Sequence, residues 1–389
     1  MPKKLGAGWY RDTKTMLLRQ MPDRRYFRGI SRYLHERREW TLLTLPYDQP
    51  ALVPDDVPRW ADAVILDLWS PRLRTLAEKF RVPVVNLIET IEPLPYPTVC
   101  GDNFEAGRLA FEHFRSLGLT HFAYLEWGEV DGPVRRRGFE QAAAAAGMTD
   151  RLIEIPSLLS RSDWSQDVAR QADIFREMPR PIGILCFADW LAVLALQALH
   201  IAGLEVPNEV AVMGVGDDEI LCESCLPSLS SVNTHNDRIG YEAARLAIAL
   251  SEGGPAPETP HRVRPLGVIE RMSTQVMATD DHDVAEALRH IHHHLAEGTG
   301  LTAQRVAELV IVSRRGLDEK FKRIVGRTVA EEIARQRMRS VLHLLQTTDL
   351  KMVEIAARSG FKTISHMSRA VSQETGRPPR DYRRWAKSE

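Results

Sequence analysis

From Lys14 to about Gly267 the chain alternates two patterns. Short apolar runs, "TMLLRQ", "WTLLTLPY", "AVILDL", "VPVVNLI", "HFAYLEW", "IGILCFA" and "VAVMGVG", have the length and composition of buried strands. Between them stand segments of helical period: "RYFRGISRYLHERR", "RLRTLAEKF", "AGRLAFEHFRSLG", "RGFEQAAAAAG", "DWLAVLALQALHIAG" and "DRIGYEAARLAIALSEG". Several close on Gly, the residue favoured just past a helix end. Strands apolar on both faces, alternating with helices, predict parallel sheets covered on both sides, as one large sheet or two smaller lobes. "SEGGPAPETPHRVRP" reads as a loop and "LGVIERMST" as a last strand returning to the body.

The strand pattern stops after the acidic stretch "ATDDHD" at 278–283, which reads as a linker. From Val284 onward the apolar positions have only helical period. Two segments there share one grammar, "VAELVIVSRRGLDEKFKRIVG" and "MVEIAARSGFKTISHMSRAVSQETG". Each has a small residue (Ala307, Ala356), a turn, a Ser or Thr and a basic amphipathic run. In the second, Gly360 permits a tight turn, Phe361 is an apolar plug, and Thr363 stands at the N-cap position. Met367 and Val371, four apart, share a face. In the first, Ser313 is the cap, and Leu317 and Phe321 form the core face. Each unit predicts a helix, a sharp turn and a second helix, at about 302–324 and 351–375.

Such a second helix fits a major groove, with its first turns at the base edges. The positions expected to face double-stranded DNA are Ser313, Arg314, Arg315, Asp318, Lys322, Arg323 and Arg327 in the first unit. In the second they are Lys362, Thr363, Ile364, Ser365 and Arg369. Arg315 suits a bidentate contact with guanine, Asp318 could accept from a cytosine amino group, and Ser365 can serve either kind of partner. Lys322, Arg323, Arg327, Lys362 and Arg369 are better placed for phosphates. "TVAEEIARQRMRSVLHLLQTT", 328–348, predicts one long helix of roughly 30 Å. Successive major-groove windows on one face of B-DNA are about 34 Å apart. Two readers on such a rod can address adjacent turns of a duplex.

Charge supports the division. Residues 284–389 hold 20 Lys and Arg against 12 Asp and Glu, a net of +8, and the rest of the chain is at −9. Only the basic tail is suited to a polyanion. The four cysteines include a lone Cys222-x-x-Cys225 with no second pair in sequence, which reads as buried thiols rather than a metal site. His290 and His292 to His294 include an i, i+4 pair, but no H-E-x-x-H accompanies it and no metal is expected. The N-terminal segment lacks the apolar core of a signal peptide, and no apolar run reaches membrane-spanning length, so a cytoplasmic protein without membrane association is expected. P-loop, nucleophile-elbow and dinucleotide motifs are absent, and neither a cofactor nor an enzymatic activity is expected.

Positions 284–389, through "EIAARSGF", "SRRGLDEKFKRIVGRT" and "GRPPRDYRR", resemble the DNA-binding domain of the AraC/XylS family. The match departs where that family usually has aromatics and this chain has His366, Met367 and Val371. Residues 1–277 resemble the LacI-type, periplasmic-binding-protein-like sensor through "VCGDNFEAGRLAFEHFRSLGLTHFAYL", "RRRGFEQA", "VPNEVAVMGVGDDEILCESCLPSLSSV" and "IGYEAARLA". That order of domains is similar to the xylose operon regulator family. The resemblance implies two α/β lobes with a ligand cleft at their hinge, followed by an all-α double helix-turn-helix domain.

It further implies a sugar effector, with Asp102, Arg135, Trp164 and Asp189 at ligand-contacting positions. In "MGVGDD", Gly216 stands where relatives carry a hydroxyl-binding Asp, and Asp217 is the candidate substitute. Ala188 stands where many relatives have Asn. Asp67, at a strand end, is a weaker candidate for the cleft. Each has a plainer reading: Asp102 and Asp189 as helix caps, Arg135 as one of three solvated arginines, Trp164 as packing beside its helix. The implied function is a sugar-responsive transcription regulator that activates catabolic genes and binds DNA as a homodimer, with RNA polymerase as a further candidate partner. The alternatives are an orphan regulator whose cleft no longer binds sugar, a solute-binding protein, and an α/β enzyme with a nucleic-acid tether.

Overall fold

The computed structural model describes residues 13–19, 23–45, 61–89, 95–126, 133–155, 164–275, 281, 283–284, 286–288, 290–291, 301–325 and 327–388. Two compact units divide at Val276 and Met277.

The first unit contains two α/β lobes. Strands β1 (Lys14–Arg19), β2 (Trp40–Leu45), β3 (Ala63–Leu66) and β4 (Val84–Asn86) form a parallel sheet in the order β2-β1-β3-β4. Helices α1 (Arg24–Glu36) and α2 (Pro71–Glu78), with α8 (Asn236–Ser251) from far along the chain, cover it. Gly29 on α1 and Gly240 on α8 let these helices touch backbone to backbone: a Cβ at either would collide with the other helix's main chain.

The second lobe holds β6 (His121–Leu125), β7 (Leu152–Glu154), β8 (Ile182–Cys186), β9 (Val210–Gly216), β10 (Ser230–Asn233) and β12 (Gly267–Ile269), in the order β12-β10-β9-β8-β6-β7. Among the described strands only β12 runs antiparallel, against β10. Helices α3 (Asn103–Ser116) and α4 (Pro133–Ala145) pack on one face, and α5 (Trp164–Glu177) and α6 (Asp189–Ala202) on the other. A short α7 (Glu219–Ser224) follows β9. Where the chain passes between lobes, β5 (Val99–Gly101) and β11 (His261–Val263) pair in parallel.

The apolar runs therefore form two sheets rather than one. Four strands of three or four residues (β5, β7, β10, β11) and the helices α5 and α7 were not among the predicted elements. "SSVN" became β10 although it is polar, because Ser230, Ser231 and Asn233 are buried and hydrogen-bonded to side chains or backbone.

The second unit is helical: α9 (Ala303–Leu309), α10 (Arg314–Val325), α11 (Val329–Thr347), α12 (Met352–Arg358), α13 (Ile364–Thr375) and α14 (Pro379–Ser388). It has two cores threaded on α11. Val329 and Ile333 join Val306, Ala307, Leu317 and Phe321. Val341, Leu344 and Leu345 join Ile355, Ala356, Met367 and Val371. A capping box between Thr328 and Glu331 starts α11, which runs unbroken for 19 residues, roughly 28 Å. Among the described residues no helix is long and apolar enough to cross a membrane.

Candidate functional site

The two lobes of the first unit enclose a cleft of about 290 Å³. The first lobe lines it with Asp23, Tyr26, Glu89, Asn236 and Ile239, and the second with Asn103, Arg135, Phe187, Asp189, Trp190 and Gly216. Polar groups and aromatic rings therefore share the lining of one concave site.

The charges are held in fixed partnerships. Asp23 caps α1 and accepts from the Arg25 guanidinium at 2.7 Å and from Asn236 Nδ2 at 2.6 Å. Arg25 also donates to the carbonyl of Gly216, a hydrogen bond from one lobe to the other. Glu89, 4% exposed, takes a bidentate pair from Arg262. Arg135 donates to the Phe187 carbonyl and, at 2.6 Å, to Asn103 Oδ1, and stacks 5.0 Å from the Phe187 ring. Its buried Nε has no hydrogen-bond partner.

Asp189 is buried beside this group, accepting from Ser231 Oγ at 2.5 Å and from the Asp218 amide at 2.8 Å. Its carboxylate lies against Gly214 and Gly216, so close that a Cβ at 216 would stand 2.9 Å from Oδ2. Burial pushes its carboxyl from the ordinary 3.8 up to about 6; the hydrogen bonds from Ser231 and the Asp218 amide oppose the shift, and the charge of Asp217 adds to it. The native protein thus takes up this proton at higher pH than the unfolded chain. The stability tied to it is full below the unfolded value and is lost as pH rises through about 6. We expect the melting temperature of wild type, relative to Asp189→Asn, to fall as pH rises from about 4 to about 7. A difference constant with pH would mean that Asp189 does not titrate there.

Of the predicted ligand contacts, Arg135 and Asp189 line the cleft. Asp189 is the first residue of α6, following an Ala188 cap position, and is not itself the cap. Asp217 is a correction. Its φ of 60° turns it away from the cleft, and it is 1% exposed with its carboxylate filled by Arg271 at 2.9 Å and Asn233 Nδ2 at 2.8 Å. Asp102 is another: it caps α3, accepting from the Glu105 amide at 3.0 Å, and does not line the cleft. Asp67 is buried away from it. Trp164 opens α5, but its side chain lies outside the described residues. Tyr26, Glu89, Asn236 and Trp190 were missed. Only Trp190, beside Asp189 in "FADW", was signalled by its neighbourhood.

In the second unit, α9–α10 and α12–α13 each form a helix, turn and helix. Ala307 and Ala356 are buried, and Ser313 and Thr363 cap α10 and α13, accepting from the amides of Gly316 and His366 at 3.2 and 3.1 Å. The second turn uses Gly360 at φ 70°, and the first places Ile311 at φ 60°, 90% exposed. Met367 and Val371 are fully buried, whereas His366 is exposed and sets its ring against Phe361 at 5.3 Å.

Ser313, Arg314, Arg315, Lys322, Arg323, Lys362, Thr363, Ile364, Ser365 and Arg369 are exposed. Two expected contacts are corrected. Asp318 Oδ1 accepts from the Val329 amide at 3.1 Å and so joins α10 to the start of α11 instead of offering itself to a base. Arg327 pairs at 2.9 Å with the buried Glu332 carboxylate, which Arg335 also holds. Lys320, on a flank of α10, is held by Asp281 and Asp283. His292 to His294 and most of the 278–283 linker lie outside the described residues, and no metal-binding cluster occurs among the described ones. The four cysteines are free, and Cys225 Sγ donates to the Cys222 carbonyl.

Comparison with known proteins fits both halves of this geometry. The periplasmic binding protein-like domain family matches residues 111–274, and a helix-turn-helix domain family matches 306–384. The xylose operon regulatory protein of Escherichia coli (strain K12) is 27% identical over 376 residues, 93% of each chain. That of Haemophilus influenzae is 24% identical, covering 93% of this chain and 95% of the relative. The solved structure of a xylose-binding transcription activator has a TM-score of 0.61 at 24% identity, covering 97% of this chain and 99% of the other. A LacI family regulator from Enterococcus faecium with bound ribose has a TM-score of 0.54 at 21% identity, over 67% of this chain and 98% of its own. The protein is a DNA-binding transcription regulator with a periplasmic binding protein-like domain ahead of a helix-turn-helix domain. Within that class it is similar to the xylose operon regulators over 93% of its own length.

Proposed function

We propose that the cleft binds a small neutral polyol, a pentose or related sugar, and that lobe closure on it biases how the doubled helix-turn-helix engages DNA. The observation that carries this reading is the lining: both lobes supply fixed polar groups, so a bound molecule can draw them together. Asp23 and Glu89 are already neutralised by arginines and Asp189 is held toward its neutral form, which suits hydroxyls better than a charged ligand. Arg135 Nε offers a buried donor. Phe187, Tyr26 and Trp190 offer plates for C–H faces. Activation as the regulatory sign, a homodimer as the DNA-bound form and RNA polymerase as its target follow from the family and belong to the same proposal. Arg315, Arg314, Lys322, Arg323, Lys362, Ile364, Ser365 and Arg369 are its proposed DNA contacts.

One observation favours the orphan reading. Arg25 of the first lobe bridges to the Gly216 carbonyl of the second, so the chain's own groups already tie the lobes together. A thermal-shift series with pentoses, hexoses and polyols decides between them. At hundredfold excess over its Kd, a true effector adds about 2.7 kcal/mol of stability. We expect a pentose to raise the melting temperature of wild type and to do so far less in Trp190→Ala, which loses a plate of the cleft. If no sugar stabilises the wild type, the orphan reading replaces ours.

A further inference from the structure

The second helix-turn-helix has a basic groove of about 870 Å³ lined by Lys351, Val353, Ile364, Arg380, Arg383 and Arg384, together with Asp349 and Met352. Four cations face one carboxylate there. The groove is built, not incidental. Arg383 Nη2 donates to the Leu350 carbonyl at 2.6 Å, fixing α14 against the start of α12. Tyr382, 8% exposed, docks α14 on α11 by accepting from Gln346 Nε2 at 2.9 Å. This leaves Lys351, Arg380 and Arg384 on the outer wall, all exposed. Arg384 pairs only loosely, at 3.9 Å, with the exposed Asp381.

Ile364 decides what the groove faces. It is both a lining residue and the first residue of the reading helix α13, and it is 41% exposed. The groove is thus continuous with the surface that approaches base edges. A reading helix in a major groove is flanked by the two sugar-phosphate strands, and cations at that distance from it meet phosphates.

We propose that Lys351, Arg380 and Arg384 form a phosphate seat for the duplex backbone beside the second reading helix. The proposal rests on the DNA-binding reading of this unit. As sequence-independent contacts, these residues set the orientation of α13 and contribute salt-dependent affinity without selecting bases. The exposed Val353 in the same groove, 55% accessible, is positioned for the apolar edge of a deoxyribose.

The test uses the full-length chain and a mixed-sequence duplex of some 40 base pairs, so that no operator need be known. Fluorescence anisotropy at a range of NaCl concentrations gives the slope of log affinity against log salt. The triple variant Lys351→Gln, Arg380→Gln, Arg384→Gln should lower the magnitude of that slope by roughly two to three and weaken binding about tenfold to hundredfold near 0.15 M salt. Its melting temperature should match wild type, because the anchoring Arg383 is untouched. Unchanged slope and affinity in the variant would overturn the phosphate seat and leave the groove to an acidic polypeptide. If wild type itself bound no duplex, the DNA reading of the unit would fall, and the seat with it.

Discussion

Replacing Arg271 with Met should lower the unfolding free energy of the sensor unit by about 3–5 kcal/mol, the range seen when one partner of a buried ion pair is removed. Arg271 is 7% exposed and Asp217 1%. The guanidinium reaches Asp217 Oδ1 at 2.9 Å, Glu223 Oε1 at 2.7 Å and the Leu229 carbonyl at 2.9 Å. Met fills much of the same volume but leaves Asp217 buried with only Asn233 beside it. The pair also joins three elements, since Asp217 follows β9, Leu229 precedes β10 and Arg271 follows β12. Urea denaturation of the sensor transition measures the loss. Adding Asp217→Asn should recover part of it by removing the stranded charge, so the double variant should lose less than the two single losses summed. A loss below about 1 kcal/mol, typical of exposed pairs, would show that water reaches this pair in solution.

The same pair explains why the cleft was only half legible in sequence. "MGVGDD" offers two carboxylates beside Gly216, and sequence proximity alone made Asp217 the natural substitute for a missing ligand contact. Backbone conformation decides otherwise: Gly216 at φ 132° and Asp217 at φ 60° turn the Asp217 side chain into the lobe, toward Arg271. The carboxylate that does lie over Gly216 comes from Asp189, at the start of α6. Tyr26, Glu89 and Asn236 were unreadable for a related reason. Tyr26 and Asn236 meet there because α8 returns to the first lobe and packs on α1, and Glu89, just past β4, is held by Arg262 from far along the chain. The doubled helix-turn-helix was legible because its determinants are local, with a small residue, a cap and two core positions within one short stretch. Even there the first turn hid itself. Ile311 adopts the left-handed conformation that Gly360 supplies in the second unit, and a β-branched residue gives no sign of such a turn.

Sensor and reader also meet the problem of buried charge differently. In the cleft, Asp23, Glu89 and Asp189 each have partners among arginines, hydroxyls or amides, which suits the neutral guest proposed above. On the helical unit, Arg315 is 92% exposed and its Glu319 partner 66%, a pair that water screens and that costs little to break on the proposed contact with DNA. Asp318, by contrast, ties α10 to the start of α11, and Arg327 and Glu332 hold the intervening turn to α11. The charged residues that build the domain are thus separable from those left to meet DNA.

That separation makes the connecting helix the place where double reading can be broken. Ala334→Pro should cost about 3 kcal/mol or more in the stability of the DNA-binding unit, because Pro removes the hydrogen bond to residue 330 and its ring collides with that carbonyl. Ala334 is exposed and lies on α11 between the stretch that enters the first core and the stretch that enters the second. Each core keeps its own residues, so the break falls on their mutual spacing. Two readers held about one duplex pitch apart bind as a linked pair, and a kink that spoils the spacing removes the gain from linkage. We expect the variant to protect one major-groove window instead of two in a footprint on a selected operator and to bind at least about tenfold more weakly. Ala334→Gly, which costs only about 1 kcal/mol and leaves no steric block, guards against simple unfolding. It should keep both windows protected with affinity near that of wild type. Two protected windows and unaltered affinity in a folded proline variant would mean that the rod does not set the spacing of the readers.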